Sequence, residues 1–288
     1  MLKKLSRRFV IGQLLLLIVH SCKSQKTPAG GLTIGVIDYG GGTQIINQYA
    51  RFNRYLAEKT KARISLEPTF NENKAIERLE SRAWSLVFAP PGIAAIAIAR
   101  YQYIPIFPLV GVNNLRSILV SRQDSPIQNL RNLQGKKVAL GELGSATGYY
   151  FPLYNLYGLT LAQVISAPIP HTVLELVAQG QVDAGAVSIE EYNLYTSTIQ
   201  DTQLRILYTD PHYVPPGVVL IGSNVESKRQ EYIRKIMSDF PSEVTQEAGY
   251  IPNATIPDYK YMISVVERVQ LLTNNLKKTP VQLFDKTI

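Results

Sequence analysis

The sequence predicts an α/β chain of two lobes, each a mostly parallel sheet flanked by helices, with two extended crossovers joining them. Three observations predict it. From Leu32 to about residue 102, short apolar runs rich in β-branched residues alternate with segments whose apolar residues recur at helical spacing. The rhythm then breaks, and YIPIFPLVGV and RSILVSR follow as two extended runs with only Asn113, Asn114 and Leu115 between them. From Lys136 the strand–helix rhythm starts again, until RILYTDP and GVVLIGS lead the chain back. Alternation of this kind favours a parallel sheet covered by helices.

The N-terminus reads as an export signal. LKKLSRR is basic, Phe9 to Val19 is mostly apolar, and Ser21 is small. The apolar run is too short for a permanent membrane span. The only cysteine, Cys22, stands where that run ends, and Val19-His20-Ser21-Cys22 resembles a bacterial lipobox with His20 in place of the usual small or apolar residue. Arg7-Arg8 followed by Phe9, Val10 and Ile11 also resembles a twin-arginine signal, so both export routes stay open. The expected division is a signal over 1–21, a polar tether over 22–31, a first lobe over 32–113 and 214–288, and a second over 114–213. A lipid on Cys22 would hold the protein at a membrane in the periplasm or at the cell surface.

Within the first lobe, LTIGVID is a buried strand and Asp38-Tyr39-Gly40-Gly41-Gly42-Thr43 a loop. Ile45, Ile46, Tyr49, Phe52 and Leu56 mark an amphipathic helix over 44–58. ARISLEPT and WSLVFAPP are strands, and NENKAIERLESR and GIAAIAIARYQ helices. In the second lobe KKVALGE is a strand, followed by a Gly-rich loop and a helix over 147–158. QVISAPI is a strand, TVLELVAQ a helix stopped by Gly180, and VDAGAVS a strand. Residues 225–288 read as helical, with a loop near Tyr250–Pro257.

Composition narrows the function classes. Apolar residues make up 45% and charged residues 18%, enough for a proper core. The formal charge is +8. Without residues 1–21 the balance falls to 26 basic and 22 acidic side chains, a mild excess that does not point to nucleic acid. Three histidines (His20, His171, His212) and one cysteine give no metal-ligand set, and no cofactor motif is present.

Ligands of open α/β sheets bind beyond the carboxyl ends of strands. The loops after strands therefore supply the candidates. Gly144-Ser145-Ala146-Thr147-Gly148-Tyr149 follows a strand and opens a helix, whose free N–H groups and partial positive charge suit a tetrahedral oxyanion. Ser145 and Thr147 add hydroxyls, although both are also ordinary helix caps. His171 sits at the next helix start, where its imidazole can donate to an anion or lie on the surface. Glu190 follows VDAGAVS and faces either the cleft or solvent. Tyr39 can donate its phenol from the glycine loop. A hydrolytic triad of Ser145, His171 and Asp183 is disfavoured, because Ser145 is not in a G-x-S-x-G elbow.

Several segments together resemble the phosphate/phosphite/phosphonate substrate-binding proteins of ABC importers. They are Asp124-Ser125-Pro126-Ile127 with Leu130, Leu133-Gln134-Gly135-Lys136 and Val138; Gly144 to Tyr149 with Pro152; and His171 leading to Leu176, Gly180 and Val182-Asp183-Ala184. Order and spacing agree over roughly residues 31–265. The resemblance implies a type II periplasmic-binding-protein fold, no enzymatic activity, a small oxyanion ligand, ABC permease and ATPase partners, and a monomer. It matches Ser145 and Thr147 to anion-binding hydroxyls, His171 to a binding histidine and Glu190 to an acidic position of aminophosphonate binders. There are three departures. Ala146 stands where another hydroxyl is usual and leaves only its N–H. Phe88-Ala89-Pro90-Pro91 lacks the tyrosine of phosphonate binders, and Pro215-Pro216-Gly217 lacks an acid. These argue against 2-aminoethylphosphonate. Another anion or organic solute (a sulfonate, nitrate or thiamine precursor), and a sensor in place of an importer, remain the alternatives.

Overall fold

Residues 30–37, 43–112, 114–199 and 203–284 are described by the computed structural model. The signal segment, Cys22 and Tyr39 lie outside the described residues. The first group of elements is β1 (Leu32–Ile37), α1 (Thr43–Thr60), β2 (Ile64–Thr69), α2 (Glu72–Glu80), β3 (Leu86–Ala89), α3 (Pro91–Tyr101) and β4 (Ile104–Pro108). The chain then crosses to β5 (Ser117–Arg122), β6 (Lys137–Leu140), a π-helical turn at Ala146–Tyr150 running into α4 (Phe151–Asn155), β7 (Thr160–Leu161), β8 (Gln163–Ser166), α5 (Pro170–Ala178), β9 (Ala184–Ser188), α6 (Ile189–Tyr195) and β10 (Leu204–Thr209). It returns through β11 (Val218–Ile221), α7 (Ser227–Ser238), α8 (Ser242–Glu247), α9 (Lys260–Gln270) and β12 (Val281–Gln282).

The strands make two five-stranded sheets, ordered β2-β1-β3-β11-β4 and β10-β5-β9-β6-β8. In the first sheet only β11 runs against the others. In the second only β5 does. These are the two strands that the crossovers deliver. A strand entered from the opposite sheet begins at the cleft and runs away from it, whereas the helix-connected strands end there. The carboxyl ends of the helix-connected strands of both sheets therefore face one space.

Local chemistry explains the helices. In α1, Tyr49, Phe52 and Leu56 are buried at helical spacing, but Ile46, expected on the same face, is 53% exposed. Asn71 caps α2 by accepting from the Lys74 N–H. Pro91 opens α3, where a missing N–H is harmless. Residues Gly92 to Ala97 of α3 are all buried, so this helix is a core element. Trp84 is fully buried against Gly35, where a Cβ would lie 2.2 Å from the indole.

One core cluster packs α1, α7 and α8 on the first sheet. In it Tyr49, Phe52, Phe88 and Tyr250 meet mostly edge to face. A second core joins α3, α4 and α9 and reaches strands of both sheets. The stretch after Lys260, expected to be helical and to lie with the first lobe, touches both groups. α9 packs on α3 and α4, and after Gln270 the chain turns and pairs β12 with β7. The helix expected over 147–158 ends at Asn155, and α6 forms where no helix was expected.

Candidate functional site

A cavity of about 390 Å³ lies between the two sheets. Its wall is built largely from first turns of helices. Glu72 is the first residue of α2, Pro91 and Gly92 open α3, Ala146 and Thr147 open the π-turn, Pro170 opens α5, and Glu191 is the third residue of α6. Each helix start carries a partial positive charge, and the N–H groups of its first turn have no acceptor within the helix itself. Five such starts bring their partial positive ends to one cavity. Among the described lining residues there is no lysine, arginine or histidine.

The π-turn gives the cavity its donors. Ser145 Oγ accepts from the Gly148 N–H at 3.0 Å, and the Tyr150 N–H reaches back to the Ser145 carbonyl at 3.1 Å, five residues away. That wide turn is the kind of local irregularity often found at functional sites. Thr147 is buried, and its carbonyl accepts from the Ser117 hydroxyl at 2.6 Å, which pins the turn to β5. Gly144 has φ +112, a conformation that favours glycine. Burial pushes the Tyr149 phenol up to about 12 and that of Tyr150 higher still, so both stay neutral next to the turn.

Three carboxylates also line the cavity, Glu72, Glu142 and Glu191. Glu191 is committed to a capping box: its Oε2 accepts from the Ser188 N–H at 2.7 Å while Ser188 Oγ accepts from the Glu191 N–H at 3.1 Å. Glu72 is 5% exposed and presses on Gly144, where a Cβ would come within 2.4 Å of its side chain.

The structure brings Ser145, Ala146 and Thr147 together in this wall, as the sequence suggests. It does not bring His171 there. That imidazole turns to Thr198 Oγ1 at 3.2 Å and Glu175 Oε2 at 3.5 Å, with its ring edge-on to Tyr195. Its neighbours Ile169 and Pro170 line the cavity in its place, and the imidazole, about 100° further round the helix, points elsewhere. Glu190 is also absent from the wall; its Oε2 is buried with no hydrogen-bond partner among the described residues. Sequence reasoning missed Glu72, Pro90 to Gly92 and Glu191. Each begins a helix directly after a strand, a position too common to mark a site by itself.

The described residues contain no group of side chains able to hold a metal ion and no helix long and apolar enough to cross a membrane. No curated protein matches the chain. Among solved structures, a Xanthomonas citri protein bound to a chloride ion aligns with TM-score 0.69 and 16% identity, covering 83% of this chain and 98% of its own. A binding-protein component of an ABC phosphonate transporter from Pseudomonas aeruginosa aligns with TM-score 0.59 and 15% identity over 88% of this chain and 92% of its own. PhnD1 from Prochlorococcus marinus in complex with methylphosphonate aligns with TM-score 0.57 and 17% identity over 83% and 98%. These likenesses establish a shared fold, the two-sheet α/β architecture of type II periplasmic binding proteins. Residues 34–253 match the family described as the periplasmic substrate-binding protein of phosphonate ABC transporters, and the chain belongs to that family.

Proposed function

We propose that the chain captures a small phosphorus oxyanion (phosphate, phosphite or a phosphonate) in the cavity between its sheets and delivers it to the permease and ATPase of an ABC importer. The observation that carries this reading is the convergence of five helix starts on one cavity whose described lining has no cation. Neutral N–H and hydroxyl donors complement an oxyanion and leave it free to depart, because no ion pair must be broken on release. The division into lobes 32–113 with 214–288 and 114–213 belongs to the same reading, with the stretch after Lys260 bridging them. Closure about the 109–116 and 210–217 crossovers would seal the ligand from water.

Ser145 is the test of the site. Hydrogen bonds to a charged group contribute about 1.5–3 kcal/mol. Ser145→Ala should therefore weaken oxyanion binding by about ten- to a hundredfold. It should also lower stability by about 1 kcal/mol, because the cap on Gly148 is lost. Thr147→Val should weaken binding similarly. His171→Ala should change affinity by less than about threefold, since its imidazole is held by Thr198 and Glu175. Titration calorimetry with methylphosphonate, phosphite, phosphate and sulfate decides. Parent-like affinity in both Ser145→Ala and Thr147→Val would mean that the anion binds elsewhere.

The proposal extends to the N-terminus. A lipid on Cys22 would tether the binding domain near its permease, through a linker of about ten residues with the reach of a flexible coil. Cys22→Ala should release the protein from membranes into the soluble fraction. Membrane partitioning equal to that of the parent would rule out lipidation as the anchor.

A further inference from the structure

A second cavity, of about 360 Å³, lies at the carboxyl ends of β1, β3 and β4. It shares Pro90, Pro91 and Leu115 with the first, so the two are adjacent. Its character is different. Val36, Phe88, Leu109, Val112 and Pro216 form an apolar wall, and no described lining residue is charged. Val110 and Val112, which also line it, are 64% and 52% exposed.

An inorganic oxyanion has no use for this space. Such an ion occupies the room of a few waters, each about 30 Å³, and the first cavity alone exceeds that several times over. The second adds room bounded by aliphatic and aromatic carbon. Covering such surface with an apolar group is favourable, at about 25 cal/mol per Å². A charged amino group placed there would be desolvated, with no carboxylate among the described lining residues to pair with.

We propose that the ligand is an organic oxyanion with an apolar substituent: its head sits at Ser145 to Thr147, and its alkyl or aryl body lies in the second cavity. This rests on the oxyanion reading of the first cavity and narrows it to a substrate class. Pro90, Pro91 and Leu115 form the junction between the head and body subsites. The body subsite selects against inorganic phosphate and phosphite, which cannot use its apolar burial, and against aminoalkyl bodies, for which no described lining residue offers a counter-charge.

The test is a calorimetric series on the mature full chain with methyl-, propyl- and hexylphosphonate, the matching alkylsulfonates, and 2-aminoethylphosphonate, which is close in shape to propylphosphonate. At about 0.8 kcal/mol per buried methylene, Kd should fall about fourfold for each added carbon until the cavity is filled. Propylphosphonate should bind more tightly than 2-aminoethylphosphonate. Val112→Trp, at an exposed position that tolerates a large residue in the fold, should flatten the chain-length dependence by occupying the space. If methylphosphonate binds but affinity is flat or falls with chain length, the apolar body subsite is overturned while the oxyanion site stands. Tighter binding of the aminoethyl compound than of the propyl one, or an unaltered slope in Val112→Trp, also overturns it. Failure of every phosphonate and sulfonate to bind overturns the oxyanion reading and the body subsite together.

Discussion

Gly92→Ala is expected to weaken ligand binding by at least about a hundredfold while leaving the secondary structure intact. A Cβ at Gly92 would lie 1.8 Å from the Gly144 carbonyl oxygen, 2.9 Å from the Gly144 carbonyl carbon and 3.1 Å from the Ala146 nitrogen. All three are backbone atoms and cannot rotate away. The two segments come from different sheets, so the clash is relieved by lifting the start of α3 off the π-turn. That movement opens the cavity at the point where two helix starts meet over it. Overpacking of this kind is destabilising by about 1–3 kcal/mol or more, and here it acts on the approached arrangement rather than on either sheet. Alanine is itself a better helix former than glycine, so α3 should not unravel. Small-angle scattering should show ligand-induced compaction in the parent and none in the variant, with far-ultraviolet circular dichroism unchanged in both. Affinity within about threefold of the parent would show that the contact between α3 and the turn is not part of the bound state.

Asp210→Ala is expected to lower stability by about 3 kcal/mol, and the melting temperature by about 6–12 °C for a chain of this size. Asp210 is fully buried. One carboxylate oxygen accepts from Asn155 Nδ2 at 2.6 Å, and the other accepts from the His212 N–H at 2.8 Å and lies 3.1 Å from His212 Nδ1. The His212 ring stacks on Tyr261 of α9 at 3.9 Å. A single side chain thus ties the 210–217 crossover to α4 and, through His212, to α9. Removing it leaves the half-buried Asn155 amide and the His212 N–H without their acceptor, and an unsatisfied buried group costs about 1–3 kcal/mol. Asp210→Asn keeps an acceptor and should recover part of the loss. The Tyr261 phenol reports on the same hub. Burial and then the Asp210 charge push it up to about 12, so its pKa should fall in Asp210→Ala when followed by ultraviolet titration. A loss below about 1 kcal/mol with an unmoved phenol would show that the hub holds little.

The residues proposed to hold the anion are contiguous in the sequence. The π-turn donors lie in one run, Gly144 to Gly148, and a run is what a sequence displays. The remainder of the wall was not readable as a site. Glu72, Pro91, Gly92, Pro170 and Glu191 are each ordinary helix beginnings. They become a site because their strands end at a common space, and no local pattern states which strand ends meet. His171 shows the converse. It stands one residue beyond the helix start that lines the cavity, and that one-residue offset turns its ring to Thr198 and Glu175.

The sequence by itself determined the alternation of strands and helices, the two places where the chain crosses, and the family. All three are carried by short-range periodicity and contiguous motifs, which act through neighbours in the chain. Only the tertiary structure decided the reversed β5 and β11, the two-residue pairing of β12 with β7, the exposure of Ile46 and the return of α9 to both groups of elements. These depend on contacts between residues far apart in sequence. Burial there is set by what arrives from elsewhere, and the local pattern is the same whether or not it arrives.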